Sequence, residues 1–475
     1  MSDRDLLALL PLLSIGVSAI VVMLGIAVKR DSKLAAGLTL AGLTAAFLSV
    51  LAAARVVPRQ VTALLLVDRY ALFYIGLLIA SAAVVTVLTY QYFEKHDGQR
   101  EELYLLLLLA TLGCAVLAAS SHFVSFLLGL ELLSVSLYGM VAYLTDRRAA
   151  LEAGIKYLIL ASASAAFLLF GMALIYAATG AMEFSKLRDT SLSGSPFLLV
   201  SGIALTLTGI GFKLGVAPFH LWTPDVYQGA SPPVAAFVAT TSKSAMVALL
   251  LRYFYLSGAL RNPPVFVVVA SIAVLSMCAG NFLALRQRNI KRILAYSSIA
   301  HFGYILVAFL AGSTMAMGAA AFYLVAYTVT LLAAFGVVAV VSNSGRDAED
   351  LEDYRGLFWR RPAIAGVLTV ALLSLAGIPA TMGFLGKFYI LAAGANAGAW
   401  PLILILVVTS VAGLFYYLRI VVALFSDPPE HAGLTEGLSR GGALVLALLA
   451  VLIIWLGVYP SPLLNLIRAS VVGLN

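Results

Sequence analysis

The stretch GFKLGVAPFHLWTPDVYQGASPPVAAFVATTSK, residues 211–243, decides how this chain folds. It places Lys213 and Lys243 inside apolar segments and separates them by residues that interrupt helices. Charged side chains at membrane depth are costly, and they are tolerated where they face a bundle interior or a water-filled cavity. We therefore interpret the stretch as part of an ion or proton path. The interrupting residues are Gly215, Pro218, Pro224, Gly229, Pro232 and Pro233.

The composition is that of a membrane protein. Hydrophobic residues make up 62% of the 475 residues and charged residues 11%, against roughly 45–50% and about 25% in soluble domains. Apolar runs alternate with short polar joints along the whole length, which leaves no stretch for a separate aqueous domain. The first apolar run extends to about Val28, too long for a signal peptide, so we expect it to be retained as a span.

Counting apolar runs long enough for a hydrocarbon core of ~30 Å predicts an all-α polytopic protein of about fourteen transmembrane helices. The candidate spans are residues 6–28, 34–53, 70–90, 103–120, 122–143, 153–178, 196–228, 232–254, 264–284, 291–312, 316–342, 362–394, 399–425 and 441–466.

The seventh and twelfth spans are overlong and interrupted in the middle, at residues 211–218 and 377–386. Discontinuous helices in matching positions are the best sequence indication of a transporter site. A faint repeat at an offset of 168 aligns Gly209, Gly211 and Gly215 with Gly377, Pro379 and Gly383. Together with the matched interruptions, the repeat favours two related halves.

The basic residues are distributed unequally between the two sides. One set of alternate loops holds sixteen Lys and Arg residues, and the other, which includes both termini, holds eight. By the positive-inside rule, both termini are expected to face the outer side. The net charge of +8 arises from these loops and not from one basic face, so we expect no nucleic-acid partner. The other six basic residues lie within the spans: Lys156, Lys213, Lys243, Arg252, Lys387 and Arg419.

Glu131 is the acidic residue that sits near the middle of an apolar run. It follows His122 by nine residues, which places it ~14 Å along a helix and near mid-membrane. The simplest alternative is a protonated glutamate that only packs. The functional interpretation pairs Glu131 with a buried lysine, here Lys213, because an opposite charge would keep both groups ionised. Separating such a pair would release a proton.

The other candidates differ in how strongly they indicate function. Lys243 lies ~17 Å into its span, and Lys387 follows the interrupted segment GIPATMGFLGKFYI. His301 could relay protons near neutral pH, although a histidine among Ser and Tyr is equally often a hydrogen-bonded core residue. Lys156 follows Glu152 by four residues, which suits a helical ion pair at the membrane edge. Arg252 is expected, like Arg419, to snorkel from a helix end as an anchor.

Two further features indicate little chemistry. Cys114 and Cys278 both lie in apolar segments, so this chain alone cannot hold a Cys-ligated iron–sulfur cluster and a disulfide is not expected. An acidic cluster precedes Tyr354 and is most simply a solvated loop, although it could dock a partner subunit. That cluster consists of Asp347, Glu349, Asp350, Glu352 and Asp353.

Several long motifs closely resemble the antiporter-like subunits of respiratory complex I, from about Glu131 onward. They are FKLGVAPFHLWTPDVYQGASPPVAAFVATTSK, KRILAYSSIAHFGYILVAF, DLEDYRGL and LAGIPATMGFLGKFYI. The resemblance implies fourteen helices, two inverted five-helix repeats with broken helices seven and twelve, and a proton-pumping role. It also implies that Glu131, Lys213, Lys243 and Lys387 form the proton relay, whereas His301 and Lys156 are further relay candidates from the residues alone.

The resemblance also implies how the chain is organised. We expect a single transmembrane domain over residues 1–475, with helices one to three in 1–102, a first antiporter-like half in 103–254, a second in 264–425 and a final helix in 441–466. One related subunit type carries Glu at the position of Lys387, and another continues into a long lateral helix. This chain has a lysine at that position and stops at Asn475 without a long lateral helix. These features indicate the remaining type of antiporter-like subunit.

The same resemblance implies partners and cofactors. NADH, flavin, iron–sulfur clusters and quinone are expected mainly in partner subunits, with no cofactor or metal in this chain. Other complex I membrane-arm subunits are expected on both sides of it within the lipid bilayer, so it should not be a standalone homo-oligomer. The expected location is the bacterial inner membrane, with both termini periplasmic. Two alternatives remain: a subunit of a related cation/proton antiporter complex, and a purely structural membrane-arm subunit.

Overall fold

The computed structural model describes residues 2–94, 100–188, 196–343, 346–428 and 439–471. Within those ranges the chain is helical apart from short connections and one antiparallel hairpin, formed by β1 (Arg59–Gln60) and β2 (Leu66–Val67). The predicted all-α class is therefore confirmed. Lys95, one of the sixteen basic loop residues, lies outside the described ranges.

Six long helices open the chain and correspond to the first six predicted spans. Two of them begin directly after an aspartate whose carboxylate accepts backbone N–H groups of the first turn, namely Asp31 and Asp68. The six helices are α1 (Asp3–Val28), α2 (Ser32–Ala53), α3 (Arg69–Phe93), α4 (Glu102–Ala119), α5 (Phe123–Val141) and α6 (Arg148–Thr179).

The seventh span is broken where the sequence predicts. Its first part ends at Leu214, and Gly215 then takes a left-handed conformation with φ of 67°, which a residue without Cβ adopts at no steric cost. The eighth span contains a π-helical turn, Val238–Ser242, immediately before Lys243. The elements of these two spans are α7 (Pro196–Leu214), α8 (Trp222–Gly229), α9 (Pro232–Phe237) and α10 (Lys243–Ser257).

The twelfth span is broken in a similar way. Its first part ends at Ala376, Gly377 has φ of 85°, and the second part begins after Thr381, whose hydroxyl caps the new helix. The elements of the second half are α11 (Pro263–Leu285), α12 (Ile290–Ala311), α13 (Thr314–Val341), α14 (Leu357–Arg360), α15 (Pro362–Ala376), α16 (Met382–Asn396) and α17 (Trp400–Phe425).

The C-terminal end differs from the prediction. The final span, α18, covers Arg440–Val458 and not residues 441–466. The chain turns at Tyr459 and Pro460 and continues as a separate helix, α19 (Ser461–Val471), which packs against α3 and α13. The sequence count merged the two helices because Leu463, Leu464 and Leu466 continue the apolar run past the proline.

Fourteen spans are present in the described part of the chain. Thirteen helices are individually long and apolar enough to cross a membrane. The fourteenth crossing is the broken twelfth span, whose two parts, α15 and α16, have 15 residues each and are too short separately. The chain is therefore a multi-pass membrane protein.

Backbone contacts between loops sort the chain into two sides. Leu65 pairs with Ser120 and His122 with Glu183, which joins the loops after α2, α4 and α6. On the other side, Asn289 pairs with Asp350, which joins the loops after α11 and α13. The second pair of loops belongs to the set with sixteen basic residues. We call that side the basic side.

The helices separate into a central group and an outer group. The best apolar windows of the eighth, tenth and eleventh spans are 100%, 94% and 94% buried within the chain, whereas those of α17 and α18 are only 28% buried. Large apolar side chains such as Val411 and Leu444 are exposed on the outer helices. The eighth, tenth and eleventh spans thus form the interior, which is where charged residues are tolerated.

The helix breaks and the sequence motif give different offsets for the internal repeat. The two left-handed glycines at the helix breaks, Gly215 and Gly377, lie 162 positions apart (377 minus 215). The motif match at 168 aligns Gly215 with Gly383, which lies within α16 beyond the second break. The offset of the repeat stays a prediction.

Candidate functional site

Lys213 lies at the last turn of α7, directly before the helix break. Its Nζ donates to Ser134 Oγ at 2.6 Å and lies 5.5 Å from the ring centroid of Tyr157. Ser134 follows Glu131 by one turn on α5, so the lysine approaches the helix that carries the predicted partner. Within the described residues no ion pair under 4.0 Å joins Lys213 to Glu131. Their functional pairing stays a prediction.

Lys243 is fully buried at the start of α10, directly after the π-helical turn. Its Nζ donates to Ser298 Oγ at 2.9 Å, and its closest aromatic ring is Phe302, at 4.8 Å. A Cβ at Gly215 would lie 3.2 Å from the same Nζ, so the glycine at the break of the seventh span leaves the space that this ammonium uses. π-Helical turns often occur at functional sites.

Ser298 connects Lys243 to a group of tyrosines. Its hydroxyl accepts from Tyr327 at 2.7 Å and lies 3.4 Å from the hydroxyl of Tyr227. All four side chains are at most 2% exposed. Hydroxyl groups can both donate and accept, so this group can pass a proton in either direction.

His301 is held between two tyrosine hydroxyls. Nδ1 contacts Tyr323, and Nε2 lies 3.0 Å from Tyr417. The imidazole ring also packs against Tyr327 and Tyr304, at centroid distances of 5.6 Å and 5.5 Å. The histidine therefore lies between the Lys243 group and the residues of the twelfth span.

Lys387 lies on α16, beyond the second break, and its side chain reaches back to that break. Its Nζ donates to Ala376 O at 2.9 Å and to Ser410 Oγ at 2.7 Å. Ala376 is the last residue of α15, so the ammonium sits at the negative end of a helix dipole. A cavity of about 280 Å³, lined in part by this lysine, lies between parts of α16 and α17.

These contacts place three of the predicted residues in one row. Lys243 contacts Ser298, Ser298 contacts Tyr327, Tyr327 packs on His301, His301 packs on Tyr304, and Lys387 lies 5.5 Å from the Tyr304 ring centroid. The row crosses the protein interior from the eighth to the twelfth span. The links from Lys243 through Ser298 to Tyr327 are hydrogen bonds, whereas the links from Tyr327 to Lys387 are ring contacts, across which a proton would need bridging water.

Lys156 lies apart from this row, towards the basic side. The predicted pair with Glu152 is present at 2.6 Å, and the same Nζ also contacts Asp225 of α8 at 3.0 Å. The lysine side chain is 44% exposed. The structure thus gives Lys156 the edge position that the sequence favoured, whereas its relay role stays a prediction.

The interpretation of the acidic cluster as a solvated loop is wrong for its first residue. Asp347 is 4% exposed and accepts from Lys291 at 2.8 Å, from Arg147 at 2.8 Å and from the hydroxyl of Tyr92 at 2.6 Å. Burial alone would raise the pKa of this carboxyl group, but the Lys291 ammonium and the other donors lower it to about 2. Asp347 therefore joins α3, the loop after α5 and α12.

The interpretation of Arg252 as a snorkelling anchor is also wrong. Its side chain is 0% exposed and donates to Asp68 at 2.7 Å, and the guanidinium lies 4.9 Å from the Tyr70 ring centroid. Asp68 also caps α3, so one carboxylate serves both groups. Arg419, the other expected anchor, donates to the backbone carbonyl groups of Leu285 and Gln287 at the end of α11, and its anchoring role stays a prediction.

Sequence reasoning missed Asp68, Lys291 and Asp347 because each lies at a span end, where charge is expected in any case. Their burial depends on which loops fold over them. A weak signal was available for Asp68, which directly precedes an apolar run and has the residue type of a helix cap. In the part of the chain that the structure describes, no group of His, Cys, Asp or Glu side chains could hold a metal ion.

A comparison with known families agrees with this geometry. The family model described as NADH:quinone oxidoreductase/Mrp antiporter, TM, matches residues 120–413, a range that contains all six predicted site residues. The chain belongs to this family. The resemblance to the antiporter-like subunits of complex I that the motifs indicated is therefore confirmed.

Similar proteins extend over the whole chain. NADH-quinone oxidoreductase subunit N of Ectopseudomonas mendocina (strain ymp) is 50% identical over 482 residues, covering 99% of this chain and 98% of the relative. A chain of respiratory complex I from Thermus thermophilus, solved with bound aureothin, is 34% identical with a TM-score of 0.83, covering 97% of this chain and 99% of its own length.

The fold extends beyond complex I. A chain of the Mrp complex from a Dietzia species has a TM-score of 0.86 at 19% identity, and covers 100% of this chain and 98% of its own length. At that identity the likeness concerns the fold alone. A chain of an archaeal membrane-bound sulfane sulfur reductase has a TM-score of 0.84 at 25% identity, and covers 99% and 97% of the two chains.

Proposed function

We propose that this chain is a proton-translocating membrane-arm subunit of NADH:quinone oxidoreductase, of the subunit N type. The observation that carries the proposal is the row of contacts from Lys243 through Ser298, Tyr327 and His301 to Lys387. The name of the half-identical relative and the likeness to a complex I chain support the same assignment.

In this proposal, protons move by rearrangement of charge within the row. Lys213, Lys243 and Lys387 donate to hydroxyl or carbonyl oxygens and lie near aromatic rings. Neutral partners stabilise an ammonium less than a carboxylate does, so a small change in the local field suffices to release the proton. Glu131 supplies the opposite charge on the Lys213 side, as the sequence predicts.

The remaining parts of the assembly lie outside this chain. We assign NADH, flavin, iron–sulfur clusters and quinone to partner subunits, since the two cysteines, Cys114 and Cys278, both lie within membrane helices of this chain. Membrane-arm subunits would flank it on both sides, where the outer helices present apolar faces. The bias of basic loop residues supports a bacterial inner-membrane orientation with both termini periplasmic and the basic side cytoplasmic.

A function in a cation/proton antiporter complex is the second candidate, and the fold shared with the Mrp chain favours it. The two functions differ in their energy source. Proton transport driven by NADH oxidation supports the oxidoreductase, whereas sodium-coupled transport without redox subunits supports the antiporter.

The test is replacement of Lys243 in the intact complex. We expect Lys243→Ala to lower proton pumping in sealed vesicles by at least about tenfold, since a positioned proton carrier contributes about 10²–10⁴ in rate. Lys243→Arg should fail similarly, because a guanidinium keeps its proton. NADH oxidation with an artificial acceptor should persist in both variants. Wild-type pumping by Lys243→Arg would make this lysine a fixed charge and would contradict the proposed relay.

A further inference from the structure

A network of ion pairs and hydrogen bonds covers the basic side of the molecule. Its charges alternate in sign, and its contacts join α6, α8, α12 and the loops after α5 and α13. Four acidic and four basic side chains balance each other, with one amide among them. In order of contact, the members are Glu152, Lys156, Asp225, Arg292, Gln228, Glu349, Lys291, Asp347 and Arg147.

The network has a solvent-exposed part and a buried part. The Glu349 side chain is 26% exposed, whereas Asp347 is 4% exposed and Lys291 is 0% exposed. The Lys291 ammonium binds both carboxylates, at 2.8 Å for Asp347 and 3.2 Å for Glu349. Glu349 is therefore a carboxylate that meets water on one side and a wholly buried cation on the other.

The buried part of the network extends towards Lys243. The Lys291 ammonium also donates to Ala230 O at 3.0 Å, and the next residue, Ser231, has a buried hydroxyl without a hydrogen-bond partner. Lys291 and Ser298 lie seven residues apart on one face of α12, which is ~10.5 Å along the helix. Tyr227 and Ser298 lie at the far end of that distance, beside Lys243. A water molecule between the two ends would find hydrogen-bonding partners in these hydroxyl groups.

Glu349 differs from the other two carboxylates that contact α8 or α12. Asp347 binds two cations, Arg147 and Lys291, and Asp225 also binds two, Lys156 and Arg292. Glu349 binds one cation within 4.0 Å, and its other partners are neutral amides, of Asn289 at 2.7 Å and Gln228 at 3.2 Å. Glu349 is thus the carboxylate of the three that has a single cation beside it and two amides at its remaining hydrogen-bonding positions.

We propose that Glu349 takes up protons from the aqueous phase on the basic side and supplies them to Lys243, with Lys291 as the residue that positions it. This inference rests on the proposed function. In each step the carboxylate binds one proton from water, the proton passes through ordered water, Ser231 and Ser298 to the neutral Lys243 amine, and the Glu349 carboxylate is regenerated. Lys291 is not a carrier in this scheme and stays paired with Asp347.

The charged and titratable groups around this position come from several elements. Lys291 and Arg292 belong to α12, Asp347 and Asp350 to the loop after α13, and Tyr354 to the short helix that follows. Arg147 and Tyr92 both contact Asp347. We expect a substitution at Glu349 to leave the Lys291–Asp347 pair in place, because Asp347 binds Lys291 through its own carboxylate.

The experiment uses the intact complex in inside-out vesicles, where the medium bathes the basic side if that side is cytoplasmic. Glu349→Gln keeps the size and the hydrogen-bonding capacity of the side chain but does not carry a proton. We expect it to lower the pumping rate by about tenfold, in line with the loss of one proton-transferring group. The loss should be larger in alkaline than in acidic medium, because protons are then scarce. Glu349→Asp should recover most of the rate.

The matched control is Glu352→Gln in the same loop. Glu352 is 77% exposed and contacts only Arg355 among the ion pairs of the described chain. It should pump at the wild-type rate at every pH. A general change in loop charge would affect both variants alike, so a difference between them isolates the position of Glu349.

Two results would overturn the proposal. Wild-type pumping by Glu349→Gln at every pH would show that protons reach Lys243 without it. Equal loss of assembled complex in the Gln and Asp variants would show that Glu349 only holds the loop in place. Neither result touches the proposed function, which depends on Lys243→Ala: loss of pumping in that variant with normal pumping by Glu349→Gln would reject the uptake role alone.

Discussion

Buried cations occur in two regions of this molecule, and they are stabilised in different ways. In the row at mid-membrane, Lys243 and Lys387 donate to serine hydroxyls at 2.9 Å and 2.7 Å. In the regions nearer the helix ends, Arg252 and Lys291 pair with carboxylates, of Asp68 at 2.7 Å and of Asp347 at 2.8 Å. Within the described residues, no carboxylate lies within 4.0 Å of the mid-membrane lysines.

The difference separates mobile charge from fixed charge. A carboxylate partner offsets the desolvation of a buried cation and keeps it protonated, whereas hydroxyl and aromatic partners offset it only in part. In the proposed relay, the mid-membrane lysines are therefore the cations that would change protonation state, because no carboxylate pair is broken when they do. The paired cations join the helices around them. We call these pairs, Arg252–Asp68 and Lys291–Asp347, the fixed frame of the row.

The largest expected effect comes from breaking a fixed pair. Arg252→Met leaves the Asp68 carboxylate buried and unpaired, which typically costs about 3–5 kcal/mol of stability. We expect the variant to assemble poorly, with a strongly lowered unfolding temperature in detergent. The double variant Arg252→Met with Asp68→Asn should recover much of that loss, because asparagine still caps α3 while no charge remains.

Lys243→Met is the matched variant from the mid-membrane row. It removes a buried cation that has no carboxylate partner in the described chain, so its unfolding temperature should stay near that of the wild type. If Lys243→Met proved as destabilising as Arg252→Met, the two kinds of buried cation would not differ in their contribution to stability.

Acid should weaken a fixed pair at a predictable pH. The pKa of Asp347 is lowered from 3.8 to about 2, so its pairing contributes stability that is fully present above about pH 4 and is lost as the pH falls through 2. The full contribution is about 2 kcal/mol, at about 1.36 kcal/mol per pKa unit.

The measurement is the unfolding midpoint in detergent across that acid range. Asp347→Asn should be less stable than the wild type above about pH 4 and should lack the part of the pH dependence that this carboxylate causes. An identical pH dependence in wild type and variant would show that other carboxylates dominate acid unfolding, and would remove Asp347 from the fixed frame.

The sequence was sufficient to select the mid-membrane lysines and insufficient for the residues between them and for the frame. A lysine deep in an apolar run is conspicuous, and so is a run broken by glycine and proline, which is why Lys213, Lys243 and Lys387 could be selected as candidates. Lys291 and Asp347 look like ordinary loop charges, because the sequence does not show that the loop after α13 folds against α12. The position of a charged residue at a span end therefore does not show whether it is buried, because its burial depends on how the loops fold.

The same reasoning explains two smaller errors. Arg252 lies nine residues beyond Lys243, close enough to a helix end to suggest snorkelling, yet the loop before α3 covers it. The final span was drawn too long because hydropathy continues past Pro460 while the helix does not. In each case the local sequence property was correct. A neighbouring segment, whose position the sequence does not show, changed what that property implies about the structure.

The smallest effect on stability and pumping is expected from an exposed ion pair outside the fixed frame. Glu152 and Lys156 form an i,i+4 pair at 2.6 Å, but their side chains are 66% and 44% exposed. Water screens such a pair, and its contribution to stability is usually close to zero. Lys156 also keeps Asp225 at 3.0 Å, so Glu152→Gln does not leave it without a partner.

We therefore expect the unfolding temperature and the pumping rate of Glu152→Gln to be indistinguishable from wild type. A clear loss of pumping at normal stability would instead support the relay role predicted for Lys156, because it would show that the charge state of this edge lysine matters to transport and not only to folding.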